Sequence, residues 1–350
     1  MFVSARMAIK TGIVRDERYL DHKPGHMHPE HPNRLKAVYR MLDSRFPGGL
    51  IQVEPEPATL EQIELVHTPS YIKKVLKTAD HGFTSLAPDT PASSGTYLSA
   101  WLAVGGCLKA LDTLITGRCE ACLSLVRPPG HHAIRDRAGG FCIFNNLGIT
   151  ARYAIQRYGF QRILIIDWDI HHGNGLNDIF YEDKQVLYIS THDIMLYPYT
   201  GDWKEAGKGE GEGYTINIPI PRAIKDKDFF YLYHEIVGDV IRAYSPQLVL
   251  VGAGFDAHHE DPVGRSKLSE QTFRWLTHMI LDRRADIDHP PILLVLEGGY
   301  HPRALASCVK EVLDALQFEG AWERPSFKGV KQGDDLVRKV RRIHGKHGVW

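Results

Sequence analysis

Short apolar runs punctuate the chain: CLSLV at 122–126, RILIIDWD at 162–169, VLYIST at 186–191, QLVLVGAGF at 247–255 and PILLVLEGG at 291–299. They are continuous rather than alternating and rich in Val, Ile and Leu, the pattern of strands buried on both faces. Between them, 147–159, 227–244 and 268–284 carry apolar residues at helical period, as do 93–115 and 302–316. Strands alternating with helices predict an α/β fold with a mostly parallel central sheet flanked by helices. No repeat, low-complexity tract or Pro/Gly/Ser linker divides the chain, so one domain is expected over 1–350.

In such sheets, sites form outside the carboxyl ends of the strands. The reactive residue types gather there: Arg127 to His132, Asp167 to Asn174, Ser190 to Asp193, Asp256 to Asp261 and Glu297 to His301. Strand alternation aims Asp167, Asp169 and His171 the same way. A carboxylate and an imidazole at a strand end can bind a divalent ion, and Asp256 is the natural third ligand from a neighbouring strand. Three such ligands leave a position open, as catalytic metal sites do, whereas adjacent buried carboxylates without a cation would be costly. His131 and His132 suit acid–base work, with Asp167 and Asn174 as orienting partners. Gly298 and Gly299 let the backbone turn and bring Tyr300 over the mouth, where a phenol can donate to a developing oxyanion.

Composition excludes some classes. Of 350 residues, 43% are hydrophobic and 24% charged, the balance of a soluble globular protein. Lys plus Arg and Asp plus Glu both total 42, so no net field draws the chain to nucleic acid or an anionic membrane. The basic cluster Arg338, Lys339, Arg341, Arg342 and Lys346 reads as a solvated or subunit-packing helix. No apolar run reaches the ~18 residues of a membrane helix, and the opening MFVSARMAIKTGIV lacks the apolar core and cleavage site of a leader. Five cysteines fit free thiols in a reducing, cytoplasmic setting. Cys119 and Cys122 form a C-x-x-C with no second pair to complete a structural zinc site, so buried thiols are expected there. His26, His28 and His31 form a separate candidate metal group.

The motifs RPPGHH, GGFCIFNN, DWDIHHGNG, STHD, GAGFD and LEGGY resemble those of the histone deacetylase family, in the family's order. TGIVRDERYLDH, HPEHPNRL and the Asn of HHGNG resemble its class II branch. The likeness runs from about Thr11 to about residue 316, leaving 317–350 as an extension that packs on the core or on a partner subunit. It implies an arginase/deacetylase-like fold and a zinc-dependent deacetylase, with one Zn2+ held by Asp169, His171 and Asp256. A structural K+ would lie at Asp167, Asp169, His171, Ser190 and Thr191. Attack by metal-activated water would use His132 as general base and then acid, with Asp167 orienting His131 and Tyr300 polarising the acetyl carbonyl. Asn174 faces His132 where class I relatives carry a carboxylate. Gly140, Phe141 and Tyr197 would wall a narrow tunnel, Asp89 would hold substrate backbone at the rim, and Arg34 would lie near the acetate exit.

The resemblance leaves the substrate open among acetyl-lysine in peptides or proteins, acetylated polyamines and other short acyl amides. A polyamine-specific relative places a Glu two residues after the Asp of a GDPEG-like motif. Val263 stands at that place here, which favours acetyl-lysine, while Glu260 and Asp261 could still attract a cationic polyamine. A binuclear manganese hydrolase of arginase type would need carboxylates at Gly173 and His258, so a single catalytic metal is expected. A non-catalytic acetyl-lysine binder would not need His131, His132 and Tyr300 together. A homo-oligomer remains compatible with the sequence, and His301, where many relatives carry Asn, has no assigned role.

Overall fold

Strand and helix alternate along most of the chain. In order come β1 (Thr11–Val14), α1 (Asn33–Arg45), β2 (Ile51–Gln52), α2 (Leu60–Ile63), α3 (Pro69–Leu76), β3 (Phe83–Ala87), β4 (Thr90–Ser93), α4 (Thr96–Ile115) and β5 (Ala121–Ser124). Then follow α5 (Asn146–Tyr158), β6 (Ile163–Asp167), α6 (Asn174–Phe180), β7 (Val186–His192), β8 (Thr215–Pro219), α7 (Asp226–Leu232) and α8 (Gly238–Tyr244). The chain closes with β9 (Leu248–Ala253), α9 (Glu270–Ala285), β10 (Ile292–Leu296), α10 (Pro302–Leu316) and α11 (Lys331–His344). The computed structural model describes residues 7–350, so the first six residues of the segment read as lacking a leader lie outside it.

Eight strands make one sheet, ordered β2-β1-β5-β10-β9-β6-β7-β8, with every neighbouring pair parallel. β3 and β4 pair antiparallel as a separate hairpin. The result is a single α/β domain whose central sheet is flanked by helices. Every residue of β6, β7, β9 and β10 is buried, which is why these strands read as unbroken apolar runs. Their carboxyl ends come level: Asp167 is register partner to both Gly252 and Ser190, and Leu296 to Ala253.

Three departures from the sequence reading matter. β6 stops at Asp167, so Asp169 and His171 sit on the turn beyond it rather than on the strand. The helix expected over 227–244 is α7 and α8 joined through a π-helical stretch at Tyr233–Val237. α4 is long and apolar enough to cross a membrane by length and composition, contrary to the expectation above, but 78% of its apolar window is buried inside the fold.

The basic C-terminal helix α11 packs on α7. It buries Leu336, Val337 and Val340, and Arg341 reaches Glu235 and Asp239 at 3.2 and 3.0 Å. All five cysteines are free and buried. The Sγ atoms of Cys119 and Cys122 both lie 3.0 Å from where a Cβ on Gly12 would sit.

Candidate active site

Asp169, His171 and Asp256 converge beyond β6 and β9, with ligand atoms within 4.8 Å of one another and all three buried. Successive turns, not strand alternation, bring them together. The Asp167 carboxylate accepts from the Asp169 N–H at 3.3 Å, and the Asp169 carboxylate accepts from the His171 N–H at 2.9 Å. His171 Nδ1 then stands 3.0 Å from Asp169 Oδ1 and 2.9 Å from Asp256 Oδ2. The remaining oxygens are anchored: Gly298 N–H donates to Asp169 Oδ2 at 2.9 Å, and Ile170 N–H to Asp256 Oδ1 at 3.0 Å. Glycine is required at 298, where a Cβ would sit 2.1 Å from Asp256 Oδ2 and 2.5 Å from Asp169 Oδ2.

The electrostatics of this set are short of positive charge. Burial, reinforced by the Asp169 charge, pushes the Asp256 carboxyl up. Burial alone would lower His171, but the two carboxylates outweigh it and hold the imidazole well above its ordinary value. Two buried carboxylates sharing one imidazole, with oxygens fixed by backbone amides, are the donor set a divalent cation completes.

The histidine pair leaves the loop after β5. His131 Nδ1 lies 3.0 Å from Asp167 Oδ2, whose other contact is the Tyr188 hydroxyl at 3.1 Å. Burial works against protonation of His131, but Asp167, Asp169 and Glu297 outweigh it and push its pKa up to about 10. His132 Nδ1 lies 2.8 Å from Asn174 Oδ1 at the start of α6. Burial and the neighbouring His131 and His171 hold His132 well below its ordinary value.

Aromatic rings frame His132 and Tyr300. The Tyr197 ring packs edge-on against His132 at 4.9 Å, and Phe141 packs edge-on against Tyr300 at 5.5 Å. Between them the backbone takes left-handed angles at Gly140 (φ 54) and Phe141 (φ 68). A Cβ on Gly140 would strike the His132 ring at 2.2 Å, so glycine there lets the wall close on the histidine. Asp89 ties in the rim: its carboxylate accepts from the Gly140 N–H at 3.0 Å and from the Thr90 hydroxyl at 2.8 Å. A cavity of about 560 Å³ opens here, lined by Asp89, His132, Gly139, Asn174, Tyr197 and others.

Tyr300 is set from behind. The Arg34 guanidinium lies 4.8 Å from its ring centroid and donates to the Gly299 carbonyl at 2.6 Å. Burial raises the Tyr300 hydroxyl well above its ordinary pKa, so it stays a proton donor.

Residues 28–316 match the family model described as the histone deacetylase domain. The chain belongs to the histone deacetylase family. A protein named "Probable deacetylase" from Archaeoglobus fulgidus is 37% identical over 359 residues, which cover 96% of this chain and 98% of that protein. Histone deacetylase 15 of Arabidopsis thaliana is 35% identical over 323 residues, covering 89% of this chain and 58% of that longer protein. The crystal structure of the HDA15 HD domain superposes with a TM-score of 0.88 at 34% identity, covering 96% of this chain and 94% of that one. The enzyme is therefore a deacetylase, a hydrolase of acetylated substrates.

Within this deacetylase fold some residues stand apart from their sequence reading. Asp261 is buried, and its carboxylate is saturated by the amides of Val263, Gly264, Tyr300 and His301 at 2.9, 3.1, 2.6 and 3.3 Å. It holds the Tyr300 loop and is no surface attractor for a cation. Val263 belongs to that same turn. His301 caps α10, its Nδ1 accepting from the Ala304 N–H at 3.3 Å. Ser190 shares register with Asp167, whereas the Thr191 hydroxyl points to the other face of β7 and meets the Tyr233 hydroxyl at 2.7 Å. Among the described residues, the candidate metal groups include neither His26, His28 and His31 nor the C-x-x-C.

Sequence reasoning missed Glu30. Its buried carboxylate meets Arg34 at 2.8 Å, Arg127 at 2.5 and 2.7 Å and His22 at 3.2 Å. The Glu of HPEHPNRL and the Arg of RPPGHH were the available signal.

Proposed function

We propose that this enzyme is a zinc-dependent amidohydrolase that removes the acetyl group from ε-N-acetyl-lysine in peptides or proteins. One observation carries the reading: a buried Asp/His/Asp donor set stands beside the paired rings of His131 and His132 and the Tyr300 hydroxyl. A bound zinc ion supplies Lewis acidity and acidifies water. The rest of the chemistry belongs to the chain's own residues.

Asn174 Oδ1 accepts the Nδ1–H of His132, an assignment made from the hydrogen-bond network, which leaves Nε2 as a base. His132 takes a proton from the attacking water and returns it to the leaving amine. His131, kept as imidazolium by Asp167, places positive charge beside the oxyanion as it develops. Tyr300 donates its hydroxyl proton to that oxyanion as a hydrogen bond. Gly140, Phe141 and Tyr197 wall the alkyl chain away from water, and Asp89 at the rim receives substrate amides. A structural K+ beside Asp167 and Ser190 would add to the same region, supported by their shared register.

Saturation of Asp261 and the apolar Val263 support acetyl-lysine over an acetylated polyamine. Glu260 keeps the second reading alive, since its side chain is 52% exposed and lies 3.6 Å from His301 near the mouth. The test is kcat/KM on an acetyl-lysine peptide against N-acetylated putrescine, cadaverine and spermidine. A peptide preference above about tenfold, ~1.4 kcal/mol, supports the lysine reading, and the reverse preference makes this a polyamine deacetylase.

A further inference from the structure

A second group of metal-ligating atoms lies next to the catalytic pair. Atoms of His131, Cys142 and Glu297 are within 4.8 Å of one another and all three residues are buried. The group shares no residue with Asp169, His171 and Asp256. Its members come from the loop after β5, from the turn that pairs Gly139 with Cys142, and from the end of β10.

Glu297 shows that the group is incomplete. Its Oε2 accepts from the Gly130 and His131 N–H groups at 2.7 and 3.1 Å, while the buried Oε1 has no partner. A buried carboxylate oxygen with neither donor nor cation is costly. His131 Nδ1 is committed to Asp167, so a cation would take Nε2 in place of the proton it carries there. Imidazole, thiolate and carboxylate together suit a borderline-soft divalent ion.

We propose that His131, Cys142 and Glu297 form a second, inhibitory site for a divalent cation of the zinc type. Binding displaces the Cys142 thiol proton and the Nε2 proton of the His131 imidazolium to solvent, and thiolate plus carboxylate neutralise the ion. It thereby removes the imidazolium of His131, whose ring lies 4.0 Å from that of His132. Turnover therefore falls even with the first site filled. The inhibition rests on the catalytic reading above; the binding does not.

Cobalt titration of metal-stripped protein tests it, because only this site places sulfur on the ion. The first equivalent of Co2+ restores turnover of an acetyl-lysine peptide without a thiolate-to-cobalt charge-transfer band. The second brings that near-ultraviolet band together with a more than tenfold loss of turnover. Cys142→Ser loses both effects when each protein is compared with its own one-equivalent rate. Glu297→Gln weakens the second binding by at least ~10-fold, and Cys119→Ser/Cys122→Ser leaves the band intact. No band at excess cobalt, or a band that survives Cys142→Ser, overturns the site. A band at two equivalents with no turnover at one supports the site and sinks the catalytic reading instead.

Discussion

Two buried charge clusters lie beneath the carboxyl edge of the sheet, and they are built on opposite plans. Around Glu30 cations outnumber the anion and every guanidinium nitrogen finds an acceptor: two guanidinium groups and an imidazole surround one carboxylate. The remaining donors of Arg127 go to the carbonyls of Tyr19 and His22, and those of Arg34 to Glu297 and Gly299. Around Asp169 the balance is reversed. Asp167, Asp169, Asp256 and Glu297 are all fully buried, and only the imidazoles of His131 and His171 answer them. The same rule, that buried charge must be paired, makes the first cluster a rivet and the second a socket. The rivet joins the N-terminal loop to the ends of β5 and β10, so it also holds the socket's walls.

Breaking the rivet should show most strongly in stability. Glu30→Gln strands two buried guanidinium groups and is expected to cost about 3–5 kcal/mol in urea unfolding. Asp256→Asn, which removes one of two crowded carboxylates, should cost the metal-free protein less than that. An equal loss from both would erase the distinction between the clusters. Tyr300→Phe acts on the socket's chemistry alone: kcat falls ~10²–10³-fold while bound metal and melting temperature stay at the wild-type level. Loss of metal from that variant would refute the tyrosine's role.

The smallest effect is in pH. Burial would raise Glu30, but Arg127, His22 and Arg34 outweigh it and hold its carboxyl well below the usual range. The folded value is thus depressed relative to ~4.3 in the unfolded chain. Its stabilisation is fully present above that pH and is lost as pH falls towards the folded value. The stability gap between wild type and Glu30→Gln should stay constant from about pH 7 to 5 and narrow below about pH 4. A gap that narrows above pH 5 would contradict the assignment.

The sequence makes the socket legible but not the rivet. Asp167, Asp169, His171 and Asp256 directly follow two apolar runs, so their strands announce where they sit. Their convergence is legible although the backbone path is not, since alternation along β6 ends at Asp167. Glu30 and Arg127 are 97 residues apart, and no periodicity links a loop to a distant strand end. Asp261 beside Glu260 reads as surface charge, and only the fold reveals the four amides that consume it. β2 has two residues and β8 carries Asn217 and Pro219, so neither gives the apolar run that marks the central strands.

The most direct test of the socket is bound metal measured beside turnover, in wild type and Asp256→Asn, after chelation and reloading with one equivalent of zinc. The account predicts that chelated wild type is inactive, that reloading restores one metal per chain and turnover together, and that Asp256→Asn regains neither. Turnover by metal-free protein, or full metal content in Asp256→Asn, would contradict it.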